Sequence, residues 1–251
     1  MISEKFYLFV LIWIIIAILL VPILLKIKAP YGRYTTTSWG PLIKNRWGWF
    51  FMEAPSLLFF TYFFLHGNNT NIICWVISGL WIVHYFQRVF IFPFRIKTKG
   101  KMMPVLVMLM AIFFNMINGY INGYYLGNIT NKYTISWLYD PRFIIGILLF
   151  ITGMIINKQS DHLLRNLRNT GVTTYKIPFG GLYKYISSPN YLGEIIEWTG
   201  FALLCWNLPA LAFCIWTYAN LLPRSISHHK WYLSHFKEYP KDRKVLIPFI
   251  F

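Results

Sequence analysis

The sequence is short of charge, and of acid most of all. Only 13% of its 251 residues are charged, and 8 acidic residues stand against 24 basic ones. A soluble globular domain carries about 25% charged residues. Because 57% of the residues are hydrophobic, the composition excludes an ordinary soluble domain and indicates that a lipid bilayer is the solvent of this chain.

Cysteine pairs and the common cofactor motifs are also missing. The three cysteines Cys74, Cys205 and Cys214 are odd in number and widely separated, which argues against a disulfide framework or a CxxC metal site. Neither G-x-G-x-x-G nor G-x-x-x-x-G-K-[ST] occurs, and the six histidines form no H-x-x-H-H or H-E-x-x-H arrangement. We therefore predict no Rossmann fold, P-loop or metal site, and expect any nucleotide to bind among helices.

Long apolar stretches are what the sequence has instead. A membrane-spanning helix needs about 20 mostly apolar residues, and seven candidate stretches cover residues 6–25, 47–65, 72–93, 103–121, 142–156, 191–204 and 209–222. We predict an all-α, polytopic integral membrane protein with seven transmembrane helices, forming one domain over residues 1–251. The first stretch is expected to be a retained anchor, and the last two a tight hairpin around Pro209.

The basic residues alternate between the predicted connections. They concentrate between the first and second stretches, the third and fourth, and the fifth and sixth, and after the seventh. By the positive-inside rule, we predict an outside N-terminus and a cytoplasmic C-terminus. The membrane is expected to be the bacterial inner membrane or the endoplasmic reticulum, depending on the organism. Because the cations are spread over several loops, lipid headgroups or a phosphate-bearing ligand are favoured over nucleic acid.

Acids within the apolar stretches point to an interior site. Glu53, Glu194 and Glu197 lie in predicted spans, where an ionisable group costs about 2.5 to 3.5 kcal/mol on insertion scales. The alternative is that these acids only join helices together. In the third stretch, Tyr85 and Arg88 are three residues apart and so lie on one side of a helix; Tyr85 alone is also compatible with an interfacial aromatic residue.

Two predicted cytoplasmic helix faces carry basic residues. Asp161, Arg165 and Arg168 form one stripe, and Arg224, His228 and Tyr232 recur at similar spacing. Such clusters suit a phosphate-rich ligand through charge-assisted hydrogen bonds. A solvated face that contacts anionic lipid headgroups is the alternative.

Residues 188–202, SPNYLGEIIEWTGFA, resemble the signature of the steroid 5α-reductase family. The resemblance continues through VHYFQR at 83–88, NGYYL at 122–126, KIPFGGL at 176–182 and LIPFIF at 246–251. It implies seven transmembrane helices around a cavity, with NADPH entering from the cytoplasmic side and a 3-oxo-Δ4 steroid, or a similar lipid enone, from within the membrane.

The resemblance also implies roles for individual residues. Glu53 and Tyr85 match the catalytic pair that holds the substrate ketone. The matching cofactor positions are Asn157, Asp161, Arg165, Arg168, Tyr175, Asn190, Glu194, Arg224, His228 and Tyr232, with Lys97, Lys101 and Arg33 as weaker additions. Met52 departs from the polar residue expected before the catalytic acid, which bears on the identity of the substrate.

The expected reaction is hydride transfer from NADPH to carbon 5 of the enone. Glu53 is expected to be a neutral acid that donates to the ketone, because burial disfavours the charged form of a carboxyl group. Alternatives are a related sterol or enoyl-lipid double-bond reductase, an isoprenylcysteine-type methyltransferase, and a lipid transporter. The expected partners are the substrate and membrane lipid, with neither nucleic acid nor an obligate protein partner.

Overall fold

The computed structural model describes residues 2–96, 100–167 and 175–251. Lys97 and Arg168, two of the predicted cofactor residues, lie outside these ranges. Helices dominate the described residues. They are α1 (Ile2–Lys26), α2 (Asn45–Leu65), α3 (Ile72–Phe86), the short α4 (Phe92–Arg95), α5 (Val105–Tyr124), α6 (Pro141–Asn166), α7 (Pro189–Cys205) and α8 (Leu208–His235).

All seven predicted stretches are helical. Five helices are long and apolar enough to cross a membrane: Ser3–Lys26, Asn45–Leu65, Ile72–Arg95, Val105–Ile129 and Pro141–Asn166. The third and fourth are continuous through π-helical turns at Gln87–Ile91 and Tyr125–Ile129. The structure therefore supports a multi-pass membrane protein. Seven spans and the orientation of the termini stay predictions.

A small sheet adds to the predicted all-α architecture. Strands β1 (Leu42–Lys44) and β2 (Met102–Pro104) pair antiparallel, with Leu42 opposite Pro104. Each strand leads directly into a helix, β1 into α2 and β2 into α5. The sheet thus fixes where these two helices begin. Three-residue strands have too little alternation for a sequence pattern to reveal them.

The chain divides into two compact units. Unit 1 contains residues 1–7 and 29–140, and unit 2 contains residues 8–28 and 141–251. Helix α1 therefore contributes residues to both. The single domain over residues 1–251 stays a prediction, and each unit is described by itself.

Unit 1 is built on very close packing of α2 against α5. Gly119, Gly123 and Gly127 recur every fourth residue along α5 and its π-helical turn. A Cβ atom at Gly123 would collide with the backbone of Phe60. Small residues at this spacing let two membrane helices approach until their backbones touch. Helix α3 packs onto α2 as well, since the Trp81 ring stacks on Phe60 at 4.8 Å.

Unit 2 is built on α6, α7 and α8. A Cβ atom at Gly193 of α7 would collide with the backbone of Asn157 of α6, so these helices are also in backbone contact. Helix α7 ends at Trp206, whose φ of 46° lies in the left-handed region. Asn207 then caps α8, its side chain accepting from Ala210 N at 2.8 Å. The expected hairpin is confirmed, with its turn just before Pro209.

The contact at Gly123 is directly testable, because α3 offers a matched glycine. We expect Gly123→Ala to destabilise the protein by about 1–3 kcal/mol, since overpacking forces the backbones apart. At Gly79, where an added Cβ meets no atom within 4 Å, alanine should be neutral or slightly stabilising. Apparent melting temperatures of both variants in one detergent measure the difference. Equal melting temperatures would show that α2 and α5 are not in tight contact.

Candidate active site

The predicted catalytic acid is held by a buried ion pair. Glu53 on α2 and Arg88, just after α3, are both buried, at 8% exposure each. Arg88 donates to Glu53 Oε1 twice, from Nη2 at 2.6 Å and from Nε at 3.1 Å. Two charge-assisted hydrogen bonds to a single oxygen join the two helices at this level of unit 1.

Aromatic rings fix the guanidinium of Arg88. Its Cζ atom lies 5.1 Å from the ring centroid of Trp49 and 4.6 Å from that of Phe92. Arg88 belongs to the π-helical turn Gln87–Ile91, a form that is rare and concentrated at functional sites. Sequence analysis placed Arg88 on the Tyr85 side of the helix but gave it no role, although an Arg inside an apolar span was itself a signal.

Tyr85 is buried on the same helix, one turn before Arg88. It is 3% exposed, and its ring lies 5.0 Å from Trp81 and 5.1 Å from His84. The catalytic pairing of Glu53 with Tyr85 stays a prediction. The neutral Glu53 that we expected does not fit this geometry, because an acid that accepts two bonds from a guanidinium is favoured as its carboxylate.

In unit 2, the predicted cofactor residues of α6 and α7 meet where these helices touch. Asn157 Nδ2 donates to the Asn190 carbonyl oxygen at 3.0 Å. Asp161 and Arg165 follow Asn157 at four-residue intervals on α6, and Glu194 follows Asn190 at the same interval on α7. These residues are buried or partly buried, so they form two polar stripes that begin at one contact.

Helix α8 adds a third stripe through a tyrosine that sequence analysis did not assign. Arg224 Nε donates to the Tyr191 hydroxyl at 2.7 Å. The His228 ring lies 5.3 Å from the Tyr191 ring. Tyr191 follows Asn190 directly, so the stripes of α7 and α8 are joined at this residue. Its position inside the recognised signature was the only sequence signal for it.

The two remaining aromatic candidates of unit 2 also pack against their neighbours. Tyr232 is 3% exposed and stacks on Tyr239 at 5.1 Å with a 9° angle between the rings. Tyr175 lies edge-on to Trp231 at 5.3 Å. Tyr232 thus holds the end of α8 against residues that follow it, in addition to the cofactor role predicted for it.

The weaker candidates Arg33 and Lys101 belong to unit 1, beside its small sheet. The Lys101 carbonyl accepts from Asn45 N at 3.0 Å. Arg33 lies in a short 3₁₀ helix, Gly32–Tyr34. The Thr35 hydroxyl, two residues later, donates to the Met102 carbonyl at 3.2 Å. Both cations therefore lie in connections next to β2.

A hydrogen-bonded cluster beside His228 was not foreseen from the sequence. Ser187 Oγ lies 2.6 Å from His229 Nδ1 and 2.7 Å from the Tyr239 hydroxyl. Burial lowers the pKa of His229 from its ordinary value of 6.5, and the charge of Lys244 lowers it further. Burial also raises the pKa of the Tyr239 phenol. The cluster therefore favours a neutral imidazole.

Comparison with known proteins decides the family. A family model described as 3-oxo-5-alpha-steroid 4-dehydrogenase matches residues 101–251. The 3-oxo-5-alpha-steroid 4-dehydrogenase 1 of Macaca fascicularis is 43% identical over 225 residues, covering 88% of this chain and 84% of the relative. The chain belongs to the 3-oxo-5-alpha-steroid 4-dehydrogenase family. This confirms the family that the sequence motifs indicated, and with it an oxidoreductase.

Relatives from distant organisms match this family member about equally well. The steroid 5-alpha-reductase of Gossypium hirsutum is 39% identical over 230 residues, with 90% of this chain and 89% of the relative covered. The 3-oxo-5-alpha-steroid 4-dehydrogenase 2 of Sus scrofa is 43% identical over 226 residues, with 88% and 87% covered. The family model starts at Lys101, so it includes every cofactor candidate of unit 2 but neither Glu53 nor Tyr85.

The His229 cluster gives a pH dependence with a definite sign. His229 has a lowered pKa in the folded protein, so on acidification the unfolded chain takes up the proton first, near pH 6.5. Stability should therefore be fully present above this value and fall as the pH decreases through the folded pKa. Apparent melting temperatures between pH 5 and 7.5 should show a shallower slope for His229→Asn than for the unchanged protein. An equal slope would assign the pH dependence to other groups.

Proposed function

We propose that this family member reduces the carbon 4–carbon 5 double bond of a 3-oxo-Δ4 steroid with NADPH. Family membership over nearly nine tenths of the chain carries the reaction class. The buried Glu53–Arg88 pair next to Tyr85 supports a site for the enone in unit 1. A related lipid enone is the alternative substrate.

The donor set of unit 2 fits a phosphate-bearing dinucleotide. Arg165, Arg224 and His228 offer cations on two helices, and Asn157 and Asn190 offer amides. Arginine binds phosphate through paired N–H groups, while amides match the carboxamide of a nicotinamide ring in both donor and acceptor character. Asn157, Asp161, Arg165, Tyr175, Asn190, Glu194, Arg224, His228 and Tyr232 are proposed to hold NADPH, with Arg33, Lys101 and the undescribed Lys97 and Arg168 as further contacts.

In the proposed mechanism the protein stabilises charge on the substrate oxygen. When bound, NADPH supplies the hydride that adds to carbon 5. The Tyr85 hydroxyl donates to the 3-keto oxygen and continues to do so as negative charge develops there, before carbon 4 takes up a proton. Glu53, held as a carboxylate by Arg88, orients the groups around this oxygen instead of donating to it.

Met52 bears on the substrate and not on the reaction. Its side chain packs with Met103 and Met108 in one buried cluster, and its carbonyl accepts from Asn115 Nδ2 at 2.5 Å. Methionine adapts its shape to neighbouring apolar groups. We propose that this cluster accepts a variety of apolar ring systems beside Glu53, so a panel of 3-oxo-Δ4 steroids and simpler lipid enones is the appropriate substrate test.

The proposed setting is a multi-pass protein with seven spans, its N-terminus outside and its C-terminus in the cytoplasm. The cations of the cofactor set then lie on the cytoplasmic side, where NADPH is available. The membrane would be the endoplasmic reticulum or the bacterial inner membrane, according to the organism.

Tyr85 provides the direct test of the reaction. Purified protein should oxidise NADPH when a 3-oxo-Δ4 steroid is added, followed at the nicotinamide absorbance. We expect Tyr85→Phe to lower kcat/KM by about 10²–10³-fold, the usual effect of losing one oxyanion donor, with NADPH affinity unchanged. Full activity of this variant would remove Tyr85 from the mechanism, and steroid-independent NADPH oxidation would contradict the substrate.

A double substitution separates the structural role of the ion pair from its catalytic role. Arg88→Met leaves a buried carboxylate without its partner and should destabilise the protein by about 3–5 kcal/mol. Combining it with Glu53→Gln should restore much of the melting temperature, because no charge is then left unpaired. Turnover should stay low in the double variant. Recovery of both properties would reduce the pair to a structural bridge.

Cofactor binding is tested with two arginines of unit 2. Arg224 contacts Tyr191, whereas the guanidinium of Arg142 lies over the Trp206 ring at 5.1 Å. We expect Arg224→Ala to weaken NADPH binding at least tenfold, about 1.4 kcal/mol, and Arg142→Ala to leave it unchanged. Equilibrium titration of NADPH fluorescence measures both. Equal losses would indicate a general electrostatic effect instead of a local contact.

A further inference from the structure

Residues 246–251 of unit 2 fold into a compact turn that presents apolar side chains outward. Leu246 N donates to the Phe251 carbonyl at 2.7 Å, and Phe251 N donates to the Ile247 carbonyl at 3.0 Å. Phe249 adopts a φ of 66°, a conformation uncommon for residues with a side chain. As a result Phe249 and Ile250 are 76% and 77% exposed.

This turn is fastened to the segment that leads into α7. Lys244 N donates to the Tyr185 carbonyl at 2.9 Å, and Ser187 N donates to the Lys244 carbonyl at 2.9 Å. The Phe249 ring lies 5.2 Å from that of Tyr185. Tyr185, Ile247, Phe249, Ile250 and Phe251 together are called the apolar patch. All five are exposed, so the patch is a fixed surface feature with its apolar side uncovered.

Charge around the apolar patch indicates what covers it. Lys184 and Lys244 are exposed beside it, and Lys184 Nζ lies 5.5 Å from the Tyr185 ring. Lys241 and the acid Asp242 are exposed a few residues earlier. Exposed aromatic and aliphatic side chains flanked mainly by lysine are typical of surfaces that lie in the headgroup region of an anionic membrane.

The position of the patch along the helices agrees with this. The apolar part of α6, a candidate membrane span, ends at Asn157 and Lys158. Asn157 is bonded to Asn190 in the first turn of α7, so these residues mark one level of unit 2. Tyr185 precedes α7 by four residues. The patch therefore lies close to the level at which the apolar stretch of α6 gives way to polar residues.

We propose that the apolar patch inserts into the headgroup region of an anionic bilayer, with Lys184 and Lys244 contacting lipid phosphates. The insertion anchors the hydrogen-bonded segments around Ser187 and Lys244. It requires that α6 spans the membrane, and it does not depend on the proposed substrate or cofactor.

A spin label at the patch tests this in the full-length protein. The Ile250→Cys variant is labelled and reconstituted in nanodiscs of phosphatidylcholine, with or without phosphatidylserine. The native Cys74, Cys205 and Cys214 are buried. A label at Lys241→Cys is the matched control. We expect the label at position 250 to show a severalfold loss of collisions with a water-soluble nickel chelate and a gain of collisions with oxygen, relative to the control, with a larger effect when phosphatidylserine is present.

The other outcomes are decisive as well. Equal nickel collisions at positions 250 and 241 in both lipid compositions would overturn the proposal. Protection that appears only when two protein copies share a nanodisc would replace the bilayer with a second copy of the chain. Protection that is the same with and without phosphatidylserine would overturn the contact assigned to Lys184 and Lys244.

Discussion

A carboxylate inside an apolar helix bundle has to be neutralised by a partner within reach, and much of unit 1 follows from this requirement. Glu53 meets it through Arg88. Arg88 in turn has to lie against α2, because a guanidinium facing lipid would carry its own solvation cost. The rings of Trp49 and Phe92 cover the flat faces of the cation and leave its edge for the carboxylate.

Close helix contact is what makes such an ion pair rigid. The glycines of α5 bring its backbone against α2, and Asn115 of α5 bonds the Met52 carbonyl directly before Glu53. The acid is therefore held from two sides, by a neighbouring helix at its backbone and by Arg88 at its side chain. Little side-chain freedom remains to be lost when a substrate arrives, which is the condition for an effective electrostatic site.

Unit 2 applies the same construction to a different task. Gly153 and Gly193 bring α6 and α7 into backbone contact beside Asn157 and Asn190. The polar stripes of three helices start from this contact and from Tyr191. Charged residues that would be scattered along a linear sequence are thus gathered into one region suited to phosphate groups.

The sequence predicted much of this arrangement, and the physical reason differs from case to case. Apolar runs revealed the helices because the bilayer imposes length and hydropathy on them. Four-residue spacing placed Asp161 with Arg165 and Arg224 with His228. The pairing of Glu53 with Arg88 and the bond between Arg224 and Tyr191 are contacts between separate helices, and a period within one helix carries no information about its neighbour. The Ser187–His229–Tyr239 cluster joins three distant segments and was invisible for the same reason.

The π-helical turn at Gln87–Ile91 gives this part of the chain an unusual sensitivity to length. The wider turn accommodates one more residue than an α-helical turn, and so it sets the rotational phase of everything that follows it. Removing a single residue there would rotate α4 by about 100° about its axis. Phe92 would then leave the face of Arg88. A deletion in this stretch should therefore be far more damaging than most single substitutions, even though no residue of the ion pair itself is lost.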